Sequence, residues 1–149
     1  MDVEKIIQTN APLPLRQRSV IHLILVSNRI SEAVSHALKP FGVSPQQFNV
    51  LRILRGQKGR PANLNTLSER MVSRMSNTTR LVDKLLEKGY VSRTVCPSNR
   101  RKVEILLTEA GAVALRNMDR VVNEAEEKLM QPLADADLRK LNDLLDLIH

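Results

Sequence analysis

Residues 73–102 read SRMSNTTRLVDKLLEKGYVSRTVCPSNRRK. On a helical wheel Met75, Thr78, Leu81, Val82 and Leu85 gather on one side, and Ser73, Ser76, Asn77, Arg80 and Lys84 on the other. The spacing predicts a helix over 73–88, with Ser73 as its N-cap and Gly89 as the left-handed residue that ends it. Residues 90–95 and 103–107 are rich in β-formers, and between them lies a turn-prone basic loop, Cys96-Pro-Ser-Asn-Arg-Arg101. The stretch therefore reads as a helix followed by a β-hairpin with a charged tip.

Upstream, apolar residues recur at helical spacing over 15–38 (Val20, Leu23, Ile24, Ile30, Val34, Leu38), and Lys39-Pro-Phe-Gly42 stops that helix. Ser44-Pro-Gln-Gln47 has the form of a capping box with proline at the first helical position, and Phe48, Leu51 and Leu54 follow on one face until Gly56 and Gly59. A shorter helix is expected from Asn65, with Leu67 and Met71 inward. Beyond the hairpin, Thr108 caps a helix running through Leu115, Met118, Val122 and Leu129. Gln131-Pro132 breaks it, and a final helix carries Leu138, Leu141, Leu144, Leu145 and Ile148. The predicted fold class is mainly α: a winged helix-turn-helix with a small hairpin wing, flanked by amphipathic helices of the kind that pack against a twin copy.

Charge follows the same plan. Residues 52–102 hold thirteen Lys/Arg against Glu69, Asp83 and Glu87, a net +10, whereas the rest of the 149 residues sums to −3. Positive charge confined to one segment suits a polyanionic partner. The outward face of the 73–88 helix mixes short polar groups with two long cations, chemistry that fits a major groove, where Arg reads guanine and Asn reads adenine. Arg100, Arg101 and Lys102 at the hairpin tip suit a minor groove or phosphates. Either feature alone also fits a solvated basic surface; together and in this order they point to duplex DNA.

Several classes are disfavoured. Phe41, Phe48 and Tyr90 are the only aromatics, too few for a base-stacking binder of single strands. There is no phosphate loop, CxxC or HExxH, so no enzyme, cofactor or metal site is expected. His22, His36 and His149 are far apart in sequence, and Cys96 has no second cysteine to resolve an oxidised sulfur. Hydrophobic residues make up 42% of the chain, enough for a core, while no run reaches the roughly 18 apolar residues of a membrane span. The opening MDVEKIIQTNAPLP lacks the apolar centre of a signal peptide, so a cytoplasmic location without membrane contact is expected.

The runs Leu64-Asn-Thr-Leu-Ser-Glu-Arg-Met71, Ser76-Asn-Thr-Thr-Arg80 onward to Gly89-Tyr-Val-Ser-Arg93, Asn99-Arg-Arg101 and Leu107-Thr-Glu-Ala-Gly111 together resemble the MarR family of bacterial transcriptional regulators, over nearly the whole chain. The resemblance implies one unit over 1–149. Within it, 41–108 would be the DNA-binding lobe, and helices within 12–38 and 109–149 would hold a homodimer. It also implies release of DNA by a small-molecule effector or an oxidant, and repression as the commoner outcome. By position it assigns Ser76, Asn77, Thr78 and Arg80 to the recognition helix, Arg101 to a minor-groove finger and Arg100 to a phosphate contact. Asn99 stands where the family usually has Asp, and its neutral hydrogen bond is roughly half as strong as a charge-assisted one. The expected partner is a pseudo-palindromic duplex, with two recognition helices about 34 Å apart. Rival readings are a winged-helix module for an acidic protein and a sequence-independent architectural DNA binder.

Overall fold

The computed structural model describes residues 2–73, 77–96 and 99–148, with backbone alone at 96 and 99–102. Helix α1 is Val3–Ile6 and α2 is Leu15–Leu38, the latter with the bounds its apolar spacing predicts. A single 3₁₀ turn, Lys39–Phe41, leads to Gly42 at φ +60°, and the chain reverses there. Helix α3, Pro45–Gly56, opens with the predicted capping box: Ser44 Oγ accepts from Gln47 N at 3.2 Å and Gln47 Oε1 accepts from Ser44 N at 2.8 Å.

Two helix starts differ from expectation. Helix α4 spans Leu64–Arg70 and is capped by Asn63, whose Oδ1 accepts from Thr66 N at 2.8 Å, while Asn65 donates from its side chain to Glu69. Helix α5 spans Thr78–Glu87 and is capped by Asn77, which accepts from Arg80 N at 3.2 Å. Ser73 is thus not the cap of the described helix. In both places several residues with capping oxygens stand close together in sequence, so local spacing alone does not single one out. Asn49 of α3 holds the chain just after α4, its Oδ1 accepting from Val72 N at 3.0 Å.

Strands β1, Val91–Cys96, and β2, Asn99–Leu107, form the antiparallel hairpin. The register runs from Val91↔Leu107 to Val95↔Val103, then slips so that Cys96 faces Asn99. Residues 100–102 therefore form a bulge on β2, a device that bends a strand and increases its twist. Near its other end β2 gains a second partner, as Ala62 and Ile105 exchange both backbone hydrogen bonds at 3.0 and 2.8 Å. Thr108 couples hairpin to helix: its Oγ1 donates to Gly89 O at 2.7 Å and accepts from Gly111 N at 3.0 Å, which starts α6, Glu109–Met130. Helix α7, Asp135–Leu145, closes the fold.

Leu38, Leu51, Leu67, Leu85, Ile105, Leu115 and Met118 are fully buried in one continuous core that runs from the end of α2 into α6. Truncating any of them to Ala costs about 2–5 kcal/mol, much of an ordinary domain's net stability. The core fixes α5 through its inner face: Val82 and Leu85 are buried, as is Thr78 at 7% exposure. Helix α2 packs chiefly along α6, whereas no residue of α7 is buried. The arrangement is the mainly α winged helix-turn-helix expected from the sequence.

Candidate nucleic-acid interface

Helix α5 has two chemically distinct faces. With Thr78, Val82 and Leu85 locked inward, Asn77, Thr79, Arg80, Asp83 and Lys84 face solvent. Thr78 belongs to the inward side of the wheel, so its hydroxyl is not presented to a groove. Asn77 is exposed, but its side-chain oxygen is spent on the cap and leaves the amide NH₂ for an external acceptor. Among the described residues Arg80 and Lys84 have no acidic partner. Ser73 is exposed in the turn before α5; Ser76 lies outside the described residues.

Asp83 interrupts the cationic face and is matched by Arg93 of β1, whose Nη1 donates to it at 3.3 Å. Both groups are about half exposed, so the pair adds little energy, but it ties the wing to the helix beside it. The backbone of Asn99, Arg100, Arg101 and Lys102 lies in β2 and its bulge, and their side chains lie outside the described residues, as does that of Cys96. The last three make up the bulge itself.

The basic segment is less uniformly free than its composition suggests. Arg52 Nε donates to Asp119 Oδ1 at 3.1 Å, and Arg55 Nη1 bonds the other oxygen of the same carboxylate. Arg52 also stacks over the Phe48 ring at 4.9 Å from its centroid. Both arginines of α3 are thus turned towards α6, and Lys88 reaches the Phe41 carbonyl at 3.3 Å. Among the described residues Arg80 and Lys84 of α5 are left without an acidic partner, as are the exposed Lys58, Arg60 and Arg70 outside it.

An open cleft of about 380 Å³ separates the first turn of α3 from α5. Ser44 and Gln46 line it from the α3 side, Asn77, Arg80 and Lys84 from the α5 side, and Ser73 also lines it. Sequence reasoning did not place Gln46 here, because nothing local to SPQQ says which helix its exposed side chain will face. The described residues contain no group of three or more potential metal ligands, and none of their helices is long and apolar enough to cross a membrane.

The MarR family model matches residues 43–103, covering α3 to the wing. The MarR transcription factor of Planctomyces limnophilus is 31% identical, covering 92% of this chain and 99% of its own, with a TM-score of 0.72. The HTH-type transcriptional repressor IacR of Pseudomonas putida is 23% identical over 85% of this chain and 74% of that protein. At the level of fold, a mutant MarR from Escherichia coli complexed with operator DNA superposes with a TM-score of 0.76 at 23% identity, covering 99% of both chains. With the family model on the helix-turn-helix and wing, and a 31% identical relative matched over almost its full length, the chain belongs to the MarR family and is a transcriptional regulator, not an enzyme.

Proposed function

We propose that the protein is a homodimeric, sequence-specific DNA-binding repressor. In this reading residues 41–108 form the reading lobe, α5 enters a major groove, and Arg101 of the wing reaches the adjacent minor groove. The observation that carries it is the outer face of α5, where Arg80 and Lys84 have no acidic partner among the described residues, on a helix whose inner face is locked into the core. Family likeness supports the rest: a relative is named as a repressor, and a structure of this fold is described in complex with operator DNA. Release by a small ligand is proposed on that likeness alone.

The dimer has independent physical support. Helix α7 has eleven residues and buries none of them, and isolated helices shorter than about 12–15 residues are marginal in water. Leu141, Leu144 and Leu145 are exposed on α7, as are Val20, Leu23 and Ile24 on α2. Apolar faces on both flanking helices fit burial against a second copy. A two-fold axis would then place two α5 helices about one DNA turn, roughly 34 Å, apart.

Fluorescence anisotropy on DNA from upstream of the protein's own gene, against a shuffled duplex at about 150 mM salt, tests the reading. Preference of at least about tenfold, one dimer per site, and loss of that preference in Arg80→Ala are expected. Equal affinity for both duplexes would replace it with an architectural binder. No binding to either by a folded protein would point to an acidic protein partner.

A further inference from the structure

We propose that Gln46, on the first turn of α3, is a second DNA-contacting side chain that holds the phosphate backbone bordering the groove α5 enters. The inference rests on the DNA-binding reading above and extends it to a helix which that reading leaves out. Gln46 and Arg80 share the cleft between α3 and α5, and Lys84 lies on the same wall as Arg80. A strand edge lying along the outer face of α5 has to pass the mouth of this cleft, so its phosphates meet both walls. On the α5 wall they meet cations; on the α3 wall they meet an amide.

The residues around Gln46 define its part. Ser44 Oγ and Gln47 Oε1 each accept the other residue's backbone N–H in the capping box; Gln47 is buried, and the half-buried Ser44 keeps only its short hydroxyl donor. Pro45 has no N–H. Gln46 is the exposed side chain of that turn, and a capped, proline-initiated helix holds its base in place. Arg52 and Arg55, the cations of the same helix, are drawn to Asp119. Helix α3 therefore meets DNA through a neutral hydrogen-bonding group, which fixes register without releasing counterions. Arg80 and Lys84 supply charge, and Gln46 sets where along the backbone that charge sits.

Neutrality gives the inference its own signature. Gln46→Ala should weaken binding to the preferred duplex about fivefold per subunit, hence about 25-fold for a dimer that loses one net hydrogen bond on each side, with the slope of log K against log salt unchanged. Lys84→Ala, by contrast, should flatten that slope by about one per subunit. Gln46→Glu separates contact from structure. A carboxylate in the first turn of a helix is stabilising, so its melting temperature should equal or exceed wild type, yet DNA binding should fall further than in Gln46→Ala. Opposite movement of stability and affinity is the expected result. If both Gln46 variants bind as wild type while Arg80→Ala is impaired, the inference fails and the DNA-binding reading stands. Affinity lost in Gln46→Ala only in step with a lowered melting temperature would also overturn it. If Arg80→Ala binds as tightly as wild type, the parent reading fails with it.

Discussion

Gly111, in the first turn of α6, lies hard against the hairpin, and adding one methyl group there should be costly. A Cβ built at Gly111 would stand 2.0 Å from the Tyr90 carbonyl oxygen, 2.8 Å from its carbon and 2.9 Å from Leu107 Cδ1. Backbone blocks it on one side, so relief requires the start of α6 to withdraw by more than an ångström. That withdrawal strains the Thr108 N–H bond to the same Tyr90 oxygen, 3.1 Å, and the Thr108 hydroxyl bond to Gly89 O, 2.7 Å. Overpacking costs about 1–3 kcal/mol and a weakened hydrogen bond about 1 more, while Ala in place of Gly in a helix returns about 1. Gly111→Ala should thus lose about 2 kcal/mol. In a chain of this length that corresponds to a melting point lower by roughly 4–8 °C, measured by circular dichroism at matched concentration because association raises apparent stability. DNA affinity should fall too, since Thr108 joins the wing to α6. Gly56→Ala is the control: nothing lies within 4 Å of its built Cβ, and the site is the last residue of α3. It should melt within about a degree of wild type or slightly higher. A Gly111→Ala protein melting within about 1 °C of wild type would refute the reasoning.

Asp119→Asn removes the charge that holds Arg52 and Arg55; chemical denaturation should show a loss of about 1 kcal/mol, smaller in high salt, with Arg52→Ala/Asp119→Asn less than additive. Asn77→Ala should cost about 1 kcal/mol through the lost cap. Asn77→Asp should keep that stability yet weaken DNA binding by placing a carboxylate on the reading face, and undiminished affinity there would remove Asn77 from the interface. The Arg18 guanidinium, donating at 2.9 Å, and the Glu4 backbone N–H hold the Glu4 carboxyl below the usual glutamate range. A depressed folded pKa means stabilisation present above the unfolded value and lost as pH falls through the folded one. Protection of the Val3–Ile6 amides, relative to their intrinsic exchange, should therefore fall on the acid side of that range; Glu4→Gln should reduce the dependence, the remainder belonging to the N-cap Asp2, whose carboxyl is also held low by its bonds to Lys5.

Local signals were read well because local physics decides them. The SPQQ capping box, the left-handed Gly89 at φ +69° and the Thr108 cap each depend on residues within a few positions, and each forms as expected. The start of α5 is not legible locally, because Ser73, Ser76 and Asn77 all carry capping oxygens; the described helix uses Asn77. Composition counted Arg52 and Arg55 with the DNA-facing charge, and only the fold brings in Asp119, 67 and 64 residues away. The Ala62–Ile105 bridge and the fully buried Val3 of α1 are equally non-local. In the candidate site, the polar face of α5 was legible from its period. The inward turn of Thr78 was on the wheel already, whereas family position alone would have counted it among the readers. The α3 wall of the cleft was not legible, because which helix an exposed glutamine faces is set by packing.

The account stands or falls on whether two copies read DNA as a symmetric pair. The direct measurement is selection of bound sequences from a randomised duplex pool by the purified protein. Enrichment of a two-fold symmetric motif with half-site centres about 10–10.5 base pairs apart is predicted, with the strongest positions lost in Arg80→Ala. Recovery of a single unrepeated half-site would contradict the dimer, and a pool left unenriched despite binding would contradict sequence-specific recognition.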